Sequence, residues 1–138
     1  DLFLINTLGP IRVVRAALAA QAADVPPPLE VGLSASRNRA RWIYAAAVLA
    51  AACRAETLVI LSNVPGLLRD VNDAHSLVQR IDKAHMLSYM DLALGRMKHK
   101  MMGAAEALKQ GVGTVILGDA RREHPIQQAL QGQGTVIR

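Results

Sequence analysis

The sequence predicts an α/β fold, a three-layer α/β/α arrangement around a mainly parallel sheet. Two runs, "TLVIL" at residues 57–61 and "TVIL" at 114–117, are continuous in β-branched and leucine side chains, without polar alternation. Strands covered on both faces in parallel sheets read this way. About fifty residues with helical spacing separate them, and "GTVI" at 134–137 supplies a short third strand. The order strand, helices, strand, helix, strand is that of layered α/β folds, whose parallel strands need crossovers.

Taken in order, residues 11–23 have helical composition, with Arg12 and Arg15 on the polar side. The prolines of "DVPPPLE" end that segment, because each removes an amide donor and forces extended geometry. Residues 32–41, "GLSASRNRAR", are small, polar and basic, a loop by composition. Alanine dominates 44–55, which is predicted to be a buried helix. The first strand is stopped by Ser62, Asn63, Pro65 and Gly66. Asp70 and Asp73 are placed to cap a helix starting near Ala74. A helix within 95–112 leads into the second strand, which ends in Gly118 and Asp119. Ligands of such folds gather outside the carboxyl ends of the strands, so 62–68 and the loop after Leu117 are the first places to look.

At 138 residues the chain suits one domain with a real core. Half of it is apolar (51%), but only Phe3, Trp42, Tyr44 and Tyr89 are aromatic, too few rings for a base-stacking RNA module. A net charge of +5 favours anionic partners such as phosphates, an acidic protein or nucleic acid, without choosing among them. The lone Cys53 excludes an internal disulfide and a cysteine-based zinc site, pointing to a reducing, cytoplasmic setting. The apolar run 43–53 is too short and alanine-rich to span a bilayer, and the N-terminal residues lack the pattern of a signal peptide. His75, His85, His99 and His124 show no metal-ligand spacing with carboxylates and read as surface or cap residues.

The segment "GRMKHKMMGAAEALKQGV" at 95–112 places Lys98, His99 and Lys100 at the start of a helix. Cations belong at the other end, because the macrodipole already puts positive charge there. On a helical wheel Met97, Met101, Ala104, Ala105 and Leu108 share a stripe of about 100°. His99 points away from it, Lys98 lies on one flank, and Lys100 lies on the other, leaning toward the protein. Periodicity alone is consistent with a snorkelling surface lysine at position 100. An anion seated among the free first-turn amides, next to Gly95, would instead make the cation placement favourable.

Three segments in order, "LVILSNVPGLLRD" at 58–70, "GRMKHKMMGAAEALKQGVGTVILGDAR" at 95–121 and "GQGTVI" at 132–137, resemble the C-terminal nucleotide-binding half of the amino acid kinase family. The basic "GRMKHK" is similar to the acetylglutamate kinase-like branch that phosphorylates aminoadipate or glutamate on an amino-group carrier protein. The resemblance implies that Ser62, Asn63, Val64, Pro65, Gly66 and Leu67 hold ATP, with Asn63 where many members have Asp. It implies a second nucleotide segment at Leu92, Ala93 and Leu94, continuing through Gly95 and Met97. The final lysine of the family's Gly-x-Met-x-x-Lys pattern falls on Lys100, which would stabilise charge on the phosphoryl group in flight. ATP and magnesium are the implied cofactors. The implied partners are ATP and an amino acid substrate carried on a small acidic protein. A homo-oligomer is expected, and neither membrane nor nucleic acid is. Arg69, Arg121 and Arg122 could meet the acidic carrier, or form a solvated surface. Asp119 with Arg121 in "GDAR" reads as a structural turn.

The resemblance also defines departures. The family's Lys-x-Gly-Gly strand end and glycine-rich loop have no counterpart in these residues, which match only its C-terminal half, with "INT" at 5–7 a trace of the stretch before its midpoint. Aligned back from Ala55 and Glu56, the family's substrate-side Asp falls on Ile43, and the nearest substrate-binding candidate is Asn38. Residues 1–44 are therefore expected to be a divergent remnant of the substrate-side half, and 45–138 the nucleotide-binding lobe. A short nucleotide-binding protein and a truncated or frame-disrupted kinase both fit that contrast. The implied activity is ATP-dependent phosphorylation of a side-chain carboxylate in lysine or arginine biosynthesis; the alternative is a non-catalytic nucleotide-binding or assembly module.

Overall fold

The structure, a computed structural model, describes residues 2–6, 14–16 and 39–138. Among them, six strands form one sheet in the order β2-β1-β3-β5-β6-β4. The strands are β1 (Leu2–Asn6), β2 (Val14–Ala16), β3 (Thr57–Ser62), β4 (Arg80–Ile81), β5 (Thr114–Asp119) and β6 (Thr135–Ile137). The helices are α1 (Arg39–Ala52), α2 (Arg96–Lys109) and α3 (Pro125–Leu130). β1, β3 and β5 run parallel, β6 is antiparallel to β5, and β4 is parallel to β6.

The two apolar runs are the central strands, and successive side chains go to opposite faces. Leu58, Ile60, Val115 and Leu117 pack against α1 and α2, whereas Val59, Leu61 and Ile116 pack against Ala129 of α3. The predicted three layers follow directly. Full burial of each such side chain stabilises the fold by about 1.5–3 kcal/mol.

α1 and α2 meet through small side chains: Ala46, Ala47 and Ala50 on one, Gly103, Ala104 and Ala107 on the other, all buried. A Cβ at Gly103 would stand 2.5 Å from Ile43 Cγ2, so the helices approach as closely as glycine permits. Each helix ends in the same way. Ala55, Val112 and Gln133 donate their amides to Ala50, Ala107 and Gln128, bonds that span five residues and define a Schellman cap. The preceding residue is left-handed each time: Arg54 at φ 54°, Gly111 at 103° and Gly132 at 84°. Each strand, β3, β5 or β6, begins three residues after that left-handed residue.

Several expectations are corrected. Val14–Ala16, inside the helix expected at 11–23, is a strand antiparallel to β1, because Leu2–Leu4 offers it a sheet edge that local composition cannot reveal; residues 11–13 and 17–23 lie outside the described residues. Residues 39–41, expected in a loop, open α1. That helix is not buried all round: it ends at Ala52, and Tyr44 (50%), Val48 (38%) and Leu49 (42%) are exposed, while Ile43, Ala46, Ala47 and Ala50 form the inner stripe. The region between the long strands holds a single α-helix. The rest is a hairpin-like excursion at 67–78, the two-residue β4 and a 3-10 segment at Lys83–Leu92. Asp70, Asp73 and Asp82 accept amides two residues ahead, at Asn72, His75 and Ala84, and these local turns compete with α-helix. Asp73 therefore caps only a 3-10 turn, Ala74–Ser76.

Candidate active site

In a parallel sheet, the helix that returns the chain to β5 must start at the carboxyl edge. α2 does so, and the carboxyl ends of β3 and β5 lie side by side with Ser62 opposite Asp119. The two expected nucleotide segments, 62–67 and 92–97, thus leave from the end of β3 and lead into the start of α2.

Lys100 is the unusual residue. It is only 6% exposed, and among the described residues no carboxylate, carbonyl or hydroxyl partners its amine. Burial, with the Arg96 guanidinium nearby, pushes its pKa down from 10.5 to about 8. The buried face of α2 is Lys100, Met101, Gly103, Ala104 and Ala107, turned from the predicted stripe so that Lys100 lies within it; Met97, Ala105 and Leu108 are only half-buried. The expected distinction among the cations is seen, since Lys98 and His99 are exposed.

Gly95 precedes α2 at φ 51° and ψ −122° and is exposed; a Cβ added to it would meet nothing within 4 Å. No side chain caps the helix; the Met97 amide is taken by the Leu94 carbonyl at 3.0 Å, which leaves Arg96 and Lys98 to offer first-turn amides to an anion. On the other segment Ser62 is buried and Asn63 exposed, Val64 and Pro65 are half-buried, and Gly66 and Leu67 are buried. Leu67 and Ala93 belong to the same core cluster as Met101, while Leu94 is 67% exposed and Leu92 half-buried. Leu67 and Ala93 thus turn their side chains into the core, and their amides are taken by Thr135 Oγ1 and the Met90 carbonyl. Asn38 lies outside the described residues.

Asp119 and Arg121 form a bidentate pair, with Nε to Oδ1 at 2.9 Å and NH2 to Oδ2 at 2.7 Å. The guanidinium holds the Asp119 carboxyl below its usual range. Arg122 is tied to Gln133 at 2.8 Å. The four histidines are exposed, and no group of three or more His, Cys, Asp or Glu among the described residues could hold a metal ion. No described helix is long and apolar enough to cross a membrane.

One residue was not singled out by sequence reasoning. Thr135 is fully buried, and its Oγ1 accepts the Leu67 amide at 2.8 Å while donating to the Val78 carbonyl at 2.7 Å. Its signal was the motif "GQGT", which carried part of the family resemblance but no assigned role.

A sequence profile of the amino acid kinase family matches residues 44–119, more than half of the chain. The chain belongs to the amino acid kinase family. Among relatives within it, a LysW-aminoadipate kinase of Deinococcus radiodurans is 57% identical over 93 residues, covering 67% of this chain and 32% of that protein. One of Thermus thermophilus is 53% identical over 95 residues, covering 67% and 35%. An acetylglutamate kinase of Clostridium acetobutylicum is 36% identical over 97 residues, covering 68% and 33%. The chain spans about a third of the length of these curated relatives. Among solved structures, N-acetylglutamate synthase from Neisseria gonorrhoeae superposes with a TM-score of 0.61 at 26% identity, over 69% of this chain and 22% of that one. Carbamate kinase from Giardia lamblia gives 0.55 at 23% identity, over 67% and 30%, and shares the fold.

Proposed function

We propose that this chain is the nucleotide-binding part of a kinase that uses ATP to phosphorylate the side-chain carboxylate of an N-blocked aminoadipate or glutamate. One carboxylate oxygen would attack the γ-phosphorus as the bond to the departing ADP oxygen breaks, giving an acyl phosphate. The observation that carries this reading is Lys100: an ammonium buried without a counter-charge among the described residues, beside an uncapped helix start at the carboxyl edge of the sheet. A buried cation without a partner is costly, and a phosphate would relieve that cost. Because phosphoryl transfer relies on positioning and charge stabilisation, a lysine on the β- and γ-phosphates suffices as this lobe's chemical contribution.

In this reading residues 45–138 are the nucleotide-binding lobe, and 1–44 belong to the substrate-side half, with Asn38 its candidate contact. Ser62, Asn63, Val64, Pro65, Gly66, Leu67, Leu92, Ala93, Leu94, Gly95 and Met97 line the nucleotide. Magnesium keeps most of its ligands as water and phosphate oxygens, so in this reading the ion would be carried on the ATP phosphates. The names of the relatives support a carrier protein bearing the amino acid and lysine or arginine biosynthesis as the setting; the net charge of +5 suits an acidic carrier, and the lone cysteine a reducing, cytoplasmic place. Among the described residues the sheet ends in β2 and β4, and an edge strand of this kind is compatible with a homo-oligomer.

A non-catalytic nucleotide-binding module is the second reading, and Ile43 favours it. The position where the family pattern calls for Asp holds a buried apolar side chain packed into the α1–α2 seam. ATP binding and turnover separate the two. Binding that Lys100→Ala abolishes, together with hydroxamate formation on a carrier-linked substrate, supports the kinase. Binding without acyl phosphate supports the module, and absence of ATP binding refutes both.

A further inference from the structure

The motif "GQGT" at 132–135 has no part in the lysine site, yet it reaches the loop assigned to the nucleotide. Ser62–Leu67 is anchored at its two ends. At one end the Ser62 carbonyl accepts the Ala120 amide at 2.7 Å. At the other, the Leu67 amide donates to Thr135 Oγ1 at 2.8 Å. Among the described residues the intervening Asn63, Val64, Pro65 and Gly66 make no hydrogen bond, so the end anchors set the path of the loop and leave its amides free.

The Thr135 end is built for close contact. The hydroxyl uses its one donor on Val78, so it joins both arms of the 67–78 excursion, which Val78 N to Leu67 O (2.9 Å) and the Leu68–Leu77 bridge close. Gly66, at φ 154°, lies against it: a Cβ there would stand 2.5 Å from Thr135 Oγ1 and 2.8 Å from Leu77 Cδ1. Gly134, at φ 146°, has its own reason, since a Cβ would collide with the Leu117 carbonyl oxygen. The glycines let β6 approach β5 on one side and the loop approach the hydroxyl on the other. With both partners buried, loss of the hydroxyl leaves an amide and a carbonyl unsatisfied.

We propose that Thr135 is a positioning residue for nucleotide binding, its hydroxyl holding 62–67 in the ATP-accepting conformation. This rests on the assignment of that loop to ATP. The test uses the full chain, Thr135→Val, which keeps the shape, and Thr135→Ser, which keeps the hydroxyl, with MgATP affinity and residue-resolved amide exchange as readouts. Thr135→Val should raise the MgATP Kd about fivefold or more and speed Leu67 exchange about tenfold, with Val59 and Ile116 unchanged and Thr135→Ser near wild type. An unchanged Kd, an unchanged Leu67 rate, or uniform acceleration of all amides overturns the proposal. Should Thr135→Val not fold, saturating MgATP must slow Leu67 exchange in the wild type, by reciprocity between binding and loop closure; an unaltered rate overturns the proposal. A wild type that binds no MgATP, with Leu67 still released by Thr135→Val, refutes instead the assignment of the loop, and the proposal with it.

Discussion

Replacing Lys100 by methionine should make this protein more stable and less able to bind nucleotide. The substitution keeps the apolar stem packed in α2 and removes the ammonium. A pKa lowered from 10.5 to about 8 places a penalty of about 3 kcal/mol on the charged amine in the folded state. The sign follows from proton counting. Between pH 8 and 10.5 the unfolded chain keeps a proton that the folded chain has shed, so wild-type stability rises with pH across that window. Below it both states are charged and the full penalty applies. Urea unfolding near neutral pH should therefore show Lys100→Met more stable by about 2–3 kcal/mol, with the rise toward alkaline pH removed. MgATP should bind the variant at least about tenfold more weakly, and bind the wild type less well as pH rises above 8. A variant that is less stable than wild type near neutral pH, or that keeps the alkaline rise, would refute the reasoning.

Other perturbations test the frame around the site. Arg54→Gly should add about 1 kcal/mol in thermal or urea unfolding, because the left-handed residue ending α1 is the one of the three helix ends without glycine. Gly103→Ala should cost about 1–3 kcal/mol through its contact with Ile43, and Ile43→Ala should recover part of that in a double-mutant cycle. The carboxyl of Asp119 is held below its usual 3.8 by Arg121, so it contributes stability above that pH and loses it as pH falls further. Acid unfolding of Asp119→Asn should lack this contribution, and an unchanged acid profile would contradict it.

The parts of this fold legible in the sequence were those set by local composition and burial. β3 and β5 could be read because both faces are covered, which removes polar side chains from the run. Lys100 could be separated from Lys98 and His99 by angle, although its depth came out greater than the wheel indicated, since the small residues Gly103, Ala104 and Ala107 draw that face inward. β2 was misread because "VRA" becomes a strand only against β1, a pairing that alanine-rich neighbours disguise. β4 has two residues and is defined by β6 more than fifty positions later. The 3-10 segment kept helical spacing without the α-helical hydrogen bonds. Thr135 was invisible as a site residue because its partners, Leu67 and Val78, are backbone groups, which leave no mark on residue type.

Gly95 carries a consequence for anyone who mutates this chain at random. Solvent exposure is the customary guide to tolerance, and this residue is exposed with empty space around it. Its intolerance is one of handedness: at φ 51° and ψ −122° an L-residue is strained however much room it has, whereas the mirror-image angles are ordinary extended backbone. A scan should therefore find a surface position that behaves like an interior one, and a D-amino acid would be the substitution that its backbone angles accept.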